Sequence, residues 1–190
     1  MRRCPVLVCS LLLAKAASAQ VGEASISMGV SNFRSARVGS VTVDGPSVKL
    51  DNGFRLAARF TINTKRFIGH EFGYAYSRSK LRELRSPLPV HQGFYNFLLY
   101  ATPEGARFRP FAAGGGHFSS FYPPGTSAYS GNGFTKFGVN YGAGVKYRLN
   151  EILQIRLDLR DYVTGKPFGL LNSSGALQQL EYSAGMGIVF

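Results

Sequence analysis

From residue 20 onward the chain alternates apolar and polar side chains with period two, and no stretch keeps a helical period. Such alternation sends every second side chain to the same face of an extended strand. The pattern is cleanest at the end. Leu180, Tyr182, Ala184, Met186, Ile188 and Phe190 share one parity, and Glu181, Ser183, Gly185, Gly187 and Val189 the other. Before it, Leu153, Ile155, Leu157 and Leu159 alternate with Gln154, Arg156, Asp158 and Arg160. Phe137, Val139, Tyr141, Ala143, Val145 and Tyr147 oppose Lys136, Gly138, Asn140, Gly142, Gly144 and Lys146. Phe54 to Ile62 and Ala24 to Val30 repeat the scheme. Three segments are less regular: Ile68 to Tyr76, the run around Tyr95, Phe97 and Leu99 in which Phe94, Leu98 and Tyr100 blur the parity, and Arg107 to Phe118. In the last, Pro110 and Gly114-Gly115-Gly116 dilute the pattern, and the glycine triplet reads as a bend or bulge. The total is eight strands of about ten residues, the length of a tilted membrane strand.

The connections alternate in length. Residues 63–66, 102–106 and 150–151 read as tight turns, whereas 32–51, 79–90, 119–133 and 165–178 are long and rich in Gly, Ser, Pro and charge. Three short and four long connections suit eight up-and-down strands with both termini on one side. The expected fold is therefore all-β: a closed, antiparallel, eight-stranded up-and-down transmembrane barrel with short periplasmic turns and long extracellular loops. After the N-terminal segment no run of 18 apolar residues occurs, so spanning must be by strands. The polar parity carries Gly138, Gly142, Gly144, Ser183, Gly185 and Gly187. Small residues are wanted inside a narrow barrel, where they make room for long ones, so the polar face is assigned to the lumen and the apolar face to lipid. Phe60, Phe67, Tyr147 and Phe190 then fall toward one end of their strands, and Phe134, Tyr182 and Tyr76 toward the other, like two aromatic girdles.

The N-terminus sets the compartment. Arg2 and Arg3 precede an apolar stretch from Pro5 to Leu13, followed by Ala17-Ser18-Ala19. This is a secretory signal over residues 1–19, cleaved between Ala19 and Gln20, with residues 20–190 as the barrel domain. Cys4 and Cys9 both lie in that leader, so the mature chain is expected to hold neither disulfide nor thiolate metal site. Removing Arg2, Arg3 and Lys15 from 22 basic residues leaves 19 against 10 acidic ones, a charge of +9. In an exported chain this favours lipid and lipopolysaccharide phosphate over nucleic acid as the counter-charge. Arg34, Arg37, Lys49, Arg78, Lys80, Arg82 and Arg85 lie in the long loops and would crowd the outer rim.

These residues resemble the small outer-membrane β-barrel family of the OmpA-barrel and OmpX type, over Gln20 to Phe190. The most specific piece is the terminal strand, Leu180 to Phe190, ending on an aromatic with apolar residues at every second position. Tyr141-Gly142-Ala143-Gly144-Val145-Lys146-Tyr147 and Arg156-Leu157-Asp158-Leu159-Arg160-Asp161-Tyr162 look like the sixth and seventh strands. The resemblance implies that Tyr182, Met186, Ile188 and Phe190 are an insertion signal read by the barrel-assembly machinery. It also implies residence in the cell outer membrane as a monomer. A peptidoglycan-binding domain of the OmpA type is not expected.

Candidate chemistry lies in the lumen. Glu23, Arg55, Arg59, Arg156, Asp158, Arg160 and Glu181 sit on the first, second, seventh and eighth strands, which become neighbours on closure; a network joining them is expected. Glu71, Lys136, Lys146 and Arg148 share the lumen parity. Such charges either fill and stiffen the barrel or line a narrow conduit, and eight strands leave room mainly for filling. His70, His91 and His117 form no metal spacing, and no cofactor is expected. His117 and Ser119 share a parity and form a His-x-Ser pair of the kind used by lipid A deacylase barrels. No Asp or Glu lies between Glu104 and Glu151 to orient the histidine, so a loop-entry histidine is the competing reading. The expected role is non-enzymatic, structural or surface-interacting. A lipid A-modifying enzyme and a narrow porin-like channel are the alternatives.

Overall fold

The computed structural model describes residues 21–34, 37–40, 47–81, 86–123, 133–165 and 175–190. The leader with Ala19 and Gln20, and the loop residues Arg82 and Arg85, lie outside the described residues. Eight long strands close the barrel: β1 (Val21–Phe33), β4 (Gly53–Lys65), β5 (Ile68–Leu81), β6 (Ser86–Tyr100), β7 (Phe108–Phe121), β8 (Phe134–Arg148), β9 (Leu153–Gly165) and β10 (Ala176–Val189). Two short strands, β2 (Arg37–Ser40) and β3 (Ser47–Lys49), pair with each other in the first long connection. Each barrel strand is antiparallel to the next, and β1 joins β10 to complete the circle, from Glu23↔Val189 to Phe33↔Gln179. Closure leaves no free edge, which is what a lipid environment demands of a sheet.

Alternation sets the two faces as the sequence implies. Ile26, Met28, Leu157, Leu159, Met186 and Ile188 point outward and are exposed, while Arg55, Arg156, Arg160, Glu71 and Glu181 are buried in the lumen. Lumen-facing Phe94, Leu98 and Tyr100 explain the blurred parity of β6: the interior takes large apolar side chains at those levels as well. The girdle residues Phe60, Phe67, Tyr147 and Phe190 are exposed at the short-turn end, and Phe134 and Tyr182 toward the other.

Three expectations are corrected. The strands run 13 to 15 residues rather than about ten. Much of 79–90 is strand, since β5 continues to Leu81 and β6 starts at Ser86. Pro87 and Pro89 suggest a loop, yet they pair opposite Lys80 and Arg78. The register of β6 with β7 begins at Val90↔Phe121, and Pro89 O still accepts from Tyr122 N at 3.0 Å, so both prolines sit at the outer end of that ladder, where a missing N–H costs little. Finally, the glycine triplet makes no bulge: β7 keeps continuous register with β6 and β8 through Gly114, Gly115 and Gly116. The register shift among the barrel strands lies instead between Asn63 and Lys65, at the first short turn.

The extra strand length projects on the long-loop side. There the inward parity turns apolar, and Phe33, Leu50, Leu81, Leu88, Val90, Phe121 and Leu177 form one buried cluster across the mouth. Leu50 is held by a bridge to Leu81, and Asp51 N donates to Lys80 O at 2.9 Å, tying the first long connection onto this cap.

Candidate functional site

The lumen is the candidate site, and its charges fall into two groups stacked along the axis. The upper group is built around β9. Arg156, Asp158 and Arg160 occupy alternate positions of one strand and so share its inner face. Arg156 Nε and NH2 reach Asp158 at 2.6 and 2.9 Å, and Arg160 NH2 reaches it at 3.0 Å. Both arginines then cross to Glu71 on β5, at 2.5 and 3.0 Å, where Asn96 Nδ2 also donates at 3.0 Å. Beside them Glu181 on β10 takes Arg55 Nε at 2.8 Å, Arg59 NH2 at 2.6 Å and Ser183 Oγ at 2.6 Å. Arg55 also bonds Ser77 at 3.0 Å and Gln92, and its guanidinium lies 4.7 Å from the Tyr162 ring centroid. Arg59 bonds Ser27.

The lower group centres on Glu23. Lys146 Nζ donates to Glu23 and, at 2.8 Å, to Tyr100 Oη. Asn63 Nδ2 and Gln154 Nε2 donate to the same carboxylate at 2.7 and 2.8 Å. Arg109 lies 3.6 Å over the Tyr100 ring and pairs with Glu104 at 2.8 Å, and Arg148 reaches Glu104 at 3.3 Å. Phe111 touches both groups, with Arg156 and Arg160 at 5.0 and 5.7 Å from its ring centroid and Lys146 at 5.7 Å.

The seven charges proposed from sequence are therefore divided. Arg55, Arg59, Arg156, Asp158, Arg160 and Glu181 line the upper group together with Glu71, whereas Glu23 belongs to the lower one with Lys146 and Arg109. Adjacency of strands does not predict this division, because arginine is long enough to cross the lumen from β9 to β5. Arg109, Glu104, Gln92 and Tyr100 were missed. The lumen parity of Arg109 is readable once Phe111, His117 and Ser119 are put on the same face of β7. Lys136 has the lumen parity, yet it is exposed at the outer end of β8.

Above the upper group lies a neutral polar layer. Gln92 Nε2 donates to Ser119 Oγ at 2.7 Å and to Gln179 Oε1 at 3.0 Å, and Gln179 Nε2 donates to Ser31 Oγ at 2.5 Å. His117 and Ser119 are both buried here, and their side chains part. His117 Nε2 bonds Thr164 Oγ1 at 2.7 Å, with its ring edge-on to Tyr162 at 5.1 Å. Contrary to the loop-entry reading, His117 lies inside β7, which continues to Phe121. Among the described residues no cluster of three or more His, Cys, Asp or Glu could hold a metal ion. The terminal-strand residues Tyr182, Met186, Ile188 and Phe190 all face outward; Phe190 exchanges backbone bonds of 2.9 Å with Gly22 and packs 6.2 Å from Phe60.

Comparison places this architecture. The family described as outer membrane protein beta-barrel domain matches residues 5–190. No curated protein matches the sequence. Among solved structures, the chain is similar to Neisserial surface protein A (TM-score 0.62, 12% identity, 90% of this chain and 97% of that one). It is also similar to the outer membrane protein OprG from Pseudomonas aeruginosa (TM-score 0.58, 16% identity, 89% and 96% covered). A third is Ail, the attachment invasion locus protein of Yersinia pestis, in complex with the heparin analogue sucrose octasulfate (TM-score 0.50, 16% identity, 89% and 99% covered).

Proposed function

Because the chain belongs to the outer membrane protein β-barrel domain family, and so resides in the cell outer membrane, we propose that it works there as a sealed, non-catalytic barrel serving structural support or surface interaction. The carrying observation is the filled lumen: two ion-paired groups, a polar layer and an apolar cap lie in series along the axis. A conduit needs a continuous wet path, and an eight-stranded interior is just wide enough for side chains to fill. The division of His117 from Ser119, and their burial beneath the cap away from the lipid face, supports a role without acyl-chain hydrolysis. The purified, refolded chain in a planar bilayer is expected to give no stable open steps. Regular unitary conductance would overturn the sealed reading.

Surface interaction is assigned to the outer rim, where Arg34, Arg78 and Lys80 are exposed. Their guanidinium and ammonium groups suit lipopolysaccharide phosphates by charge and geometry. Ail, with its sulfated sugar analogue, offers a parallel for a polyanion on a barrel of this fold. Export is through the leader, with Gln20 as first residue of the mature chain, and Tyr182, Met186, Ile188 and Phe190 present the outward apolar edge offered to the barrel-assembly machinery. Mass spectrometry of the protein from outer membranes tests the leader: a chain still carrying Met1 to Ala19 would refute cleavage.

A further inference from the structure

Two of the three short turns and the end of β8 form a bonded collar. Glu104 N donates to Arg66 O at 3.0 Å, Tyr100 N to Phe67 O at 2.9 Å, and Arg148 N to Arg107 O at 2.8 Å. These bonds lock the β4–β5 turn to the β6–β7 turn and the latter to the end of β8. The collar sorts its charges by direction. Its carboxylate Glu104 turns inward to Arg109 and Arg148, at 2.8 and 3.3 Å. Lys65, Arg66 and Arg107 stay exposed, and among the described residues none of them pairs with a carboxylate. Glu151, the other acid at this end, sits on the separate β8–β9 turn.

The cations are also placed by rings. Arg66 lies 5.6 Å from the Phe67 ring centroid and Arg107 5.6 Å from that of Tyr147. Phe67, Phe108 and Tyr147 are exposed and belong to the aromatic girdle on this side of the barrel. A girdle ring marks the boundary between acyl chains and headgroups, so a guanidinium against it lies at headgroup depth. Short turns face the periplasm in this family, which puts the collar against the inner, phospholipid leaflet.

We propose that Lys65, Arg66 and Arg107 form a one-sided arc that binds the phosphate groups of anionic phospholipids in the inner leaflet of the outer membrane. Guanidinium donors match phosphate oxygens, and the rings beneath hold the glycerol and upper acyl segments. The arc covers the β4–β7 side, whereas the β8–β9 turn carries the acid Glu151, so the bound lipids would not be spread evenly round the barrel.

The test uses the full chain refolded into phosphatidylcholine bilayers containing a trace of spin-labelled phosphatidylglycerol or spin-labelled phosphatidylcholine. Each basic side chain near an anionic surface favours it by about fivefold. The motionally restricted fraction should therefore favour phosphatidylglycerol severalfold, and about 1 M salt should remove most of that preference. In K65Q/R66Q/R107Q, checked for folding by heat-modifiable gel mobility, the two lipids should associate nearly equally. In R78Q/K80Q, which removes outer-rim charge, the preference should persist. Equal association in the native chain overturns the proposal, as does selectivity retained by the collar variant or abolished by the outer-rim variant. Capture of peptidoglycan fragments by the collar with no lipid preference would overturn it in favour of a different partner.

Discussion

Glu181 holds two guanidinium groups and one hydroxyl with a single carboxylate, and all of them are buried. A charge at that depth is tolerated because its partners are present, and removing one partner leaves the others with no water to turn to. Glu181→Gln keeps the volume but removes the charge facing Arg55 and Arg59. It is expected to destabilise the barrel by about 3–5 kcal/mol, read as a lower urea midpoint for loss of the compact, unheated gel band. A midpoint within error of the native chain would mean that Gln92, Ser77 and Ser27 suffice to hold the two arginines. Several members of this network were legible from parity alone, because Arg55, Arg59, Arg156, Asp158, Arg160 and Glu181 alternate with bulky apolar neighbours. Their grouping was not legible. It depends on which strands face each other across the lumen, as with Arg156 on β9 and Glu71 on β5, and that follows from barrel diameter and stagger rather than local pattern.

At the scale of a strand, β7 shows why a sequence pattern can point to the right place for the wrong reason. Gly114-Gly115-Gly116 reads as a bend or bulge, yet the strand keeps continuous register on both sides. The glycines differ by face. A Cβ on Gly115 would lie 1.9 Å from Tyr95 O, inside the lumen wall, whereas on Gly114 the nearest heavy atom would be Asn140 O at 4.0 Å. Only the inner position demands glycine for close approach. Gly115→Ala is expected to cost at least the roughly 1–3 kcal/mol typical of overpacking and to lower the yield of refolded barrel. Gly114→Ala, one residue away and toward lipid, should change stability by less than about 1 kcal/mol, with the sign favouring alanine. Equal effects from the two would contradict the face assignment of β7. The same strand-level logic explains the strands read too short. Beyond the lipid, the inner parity of β5, β6, β7 and β10 changes from polar to apolar at Leu81, Leu88, Phe121 and Leu177, and a pattern read with fixed polarity stops at that change.

Taken whole, the molecule has an inverted interior over most of its length and a conventional one at its outer mouth. On the sealed reading proposed above, the salt-bridged groups would exclude ions by tying the lumen charges to partners, and the cap would exclude water by offering it no hydrogen bond. Barriers in series act as one, so opening either alone should leave the barrel shut. F121A/L177A removes two large side chains from the cap, at about 2–5 kcal/mol each in stability, but leaves Glu71, Asp158 and Glu181 paired beneath. R55M/E181M removes the Arg55–Glu181 pair, leaves Arg59 without its carboxylate, and keeps the cap intact. Neither variant is expected to conduct in a planar bilayer. The four substitutions together should produce at most brief, flickering steps, since Arg156 and Arg160 still pair with Glu71 and Asp158 across the lumen above the Glu23 group. Steady conduction from the cap variant alone would show that ions pass the paired layer, and the sealed interior would then be a gate held by Phe121 and its neighbours.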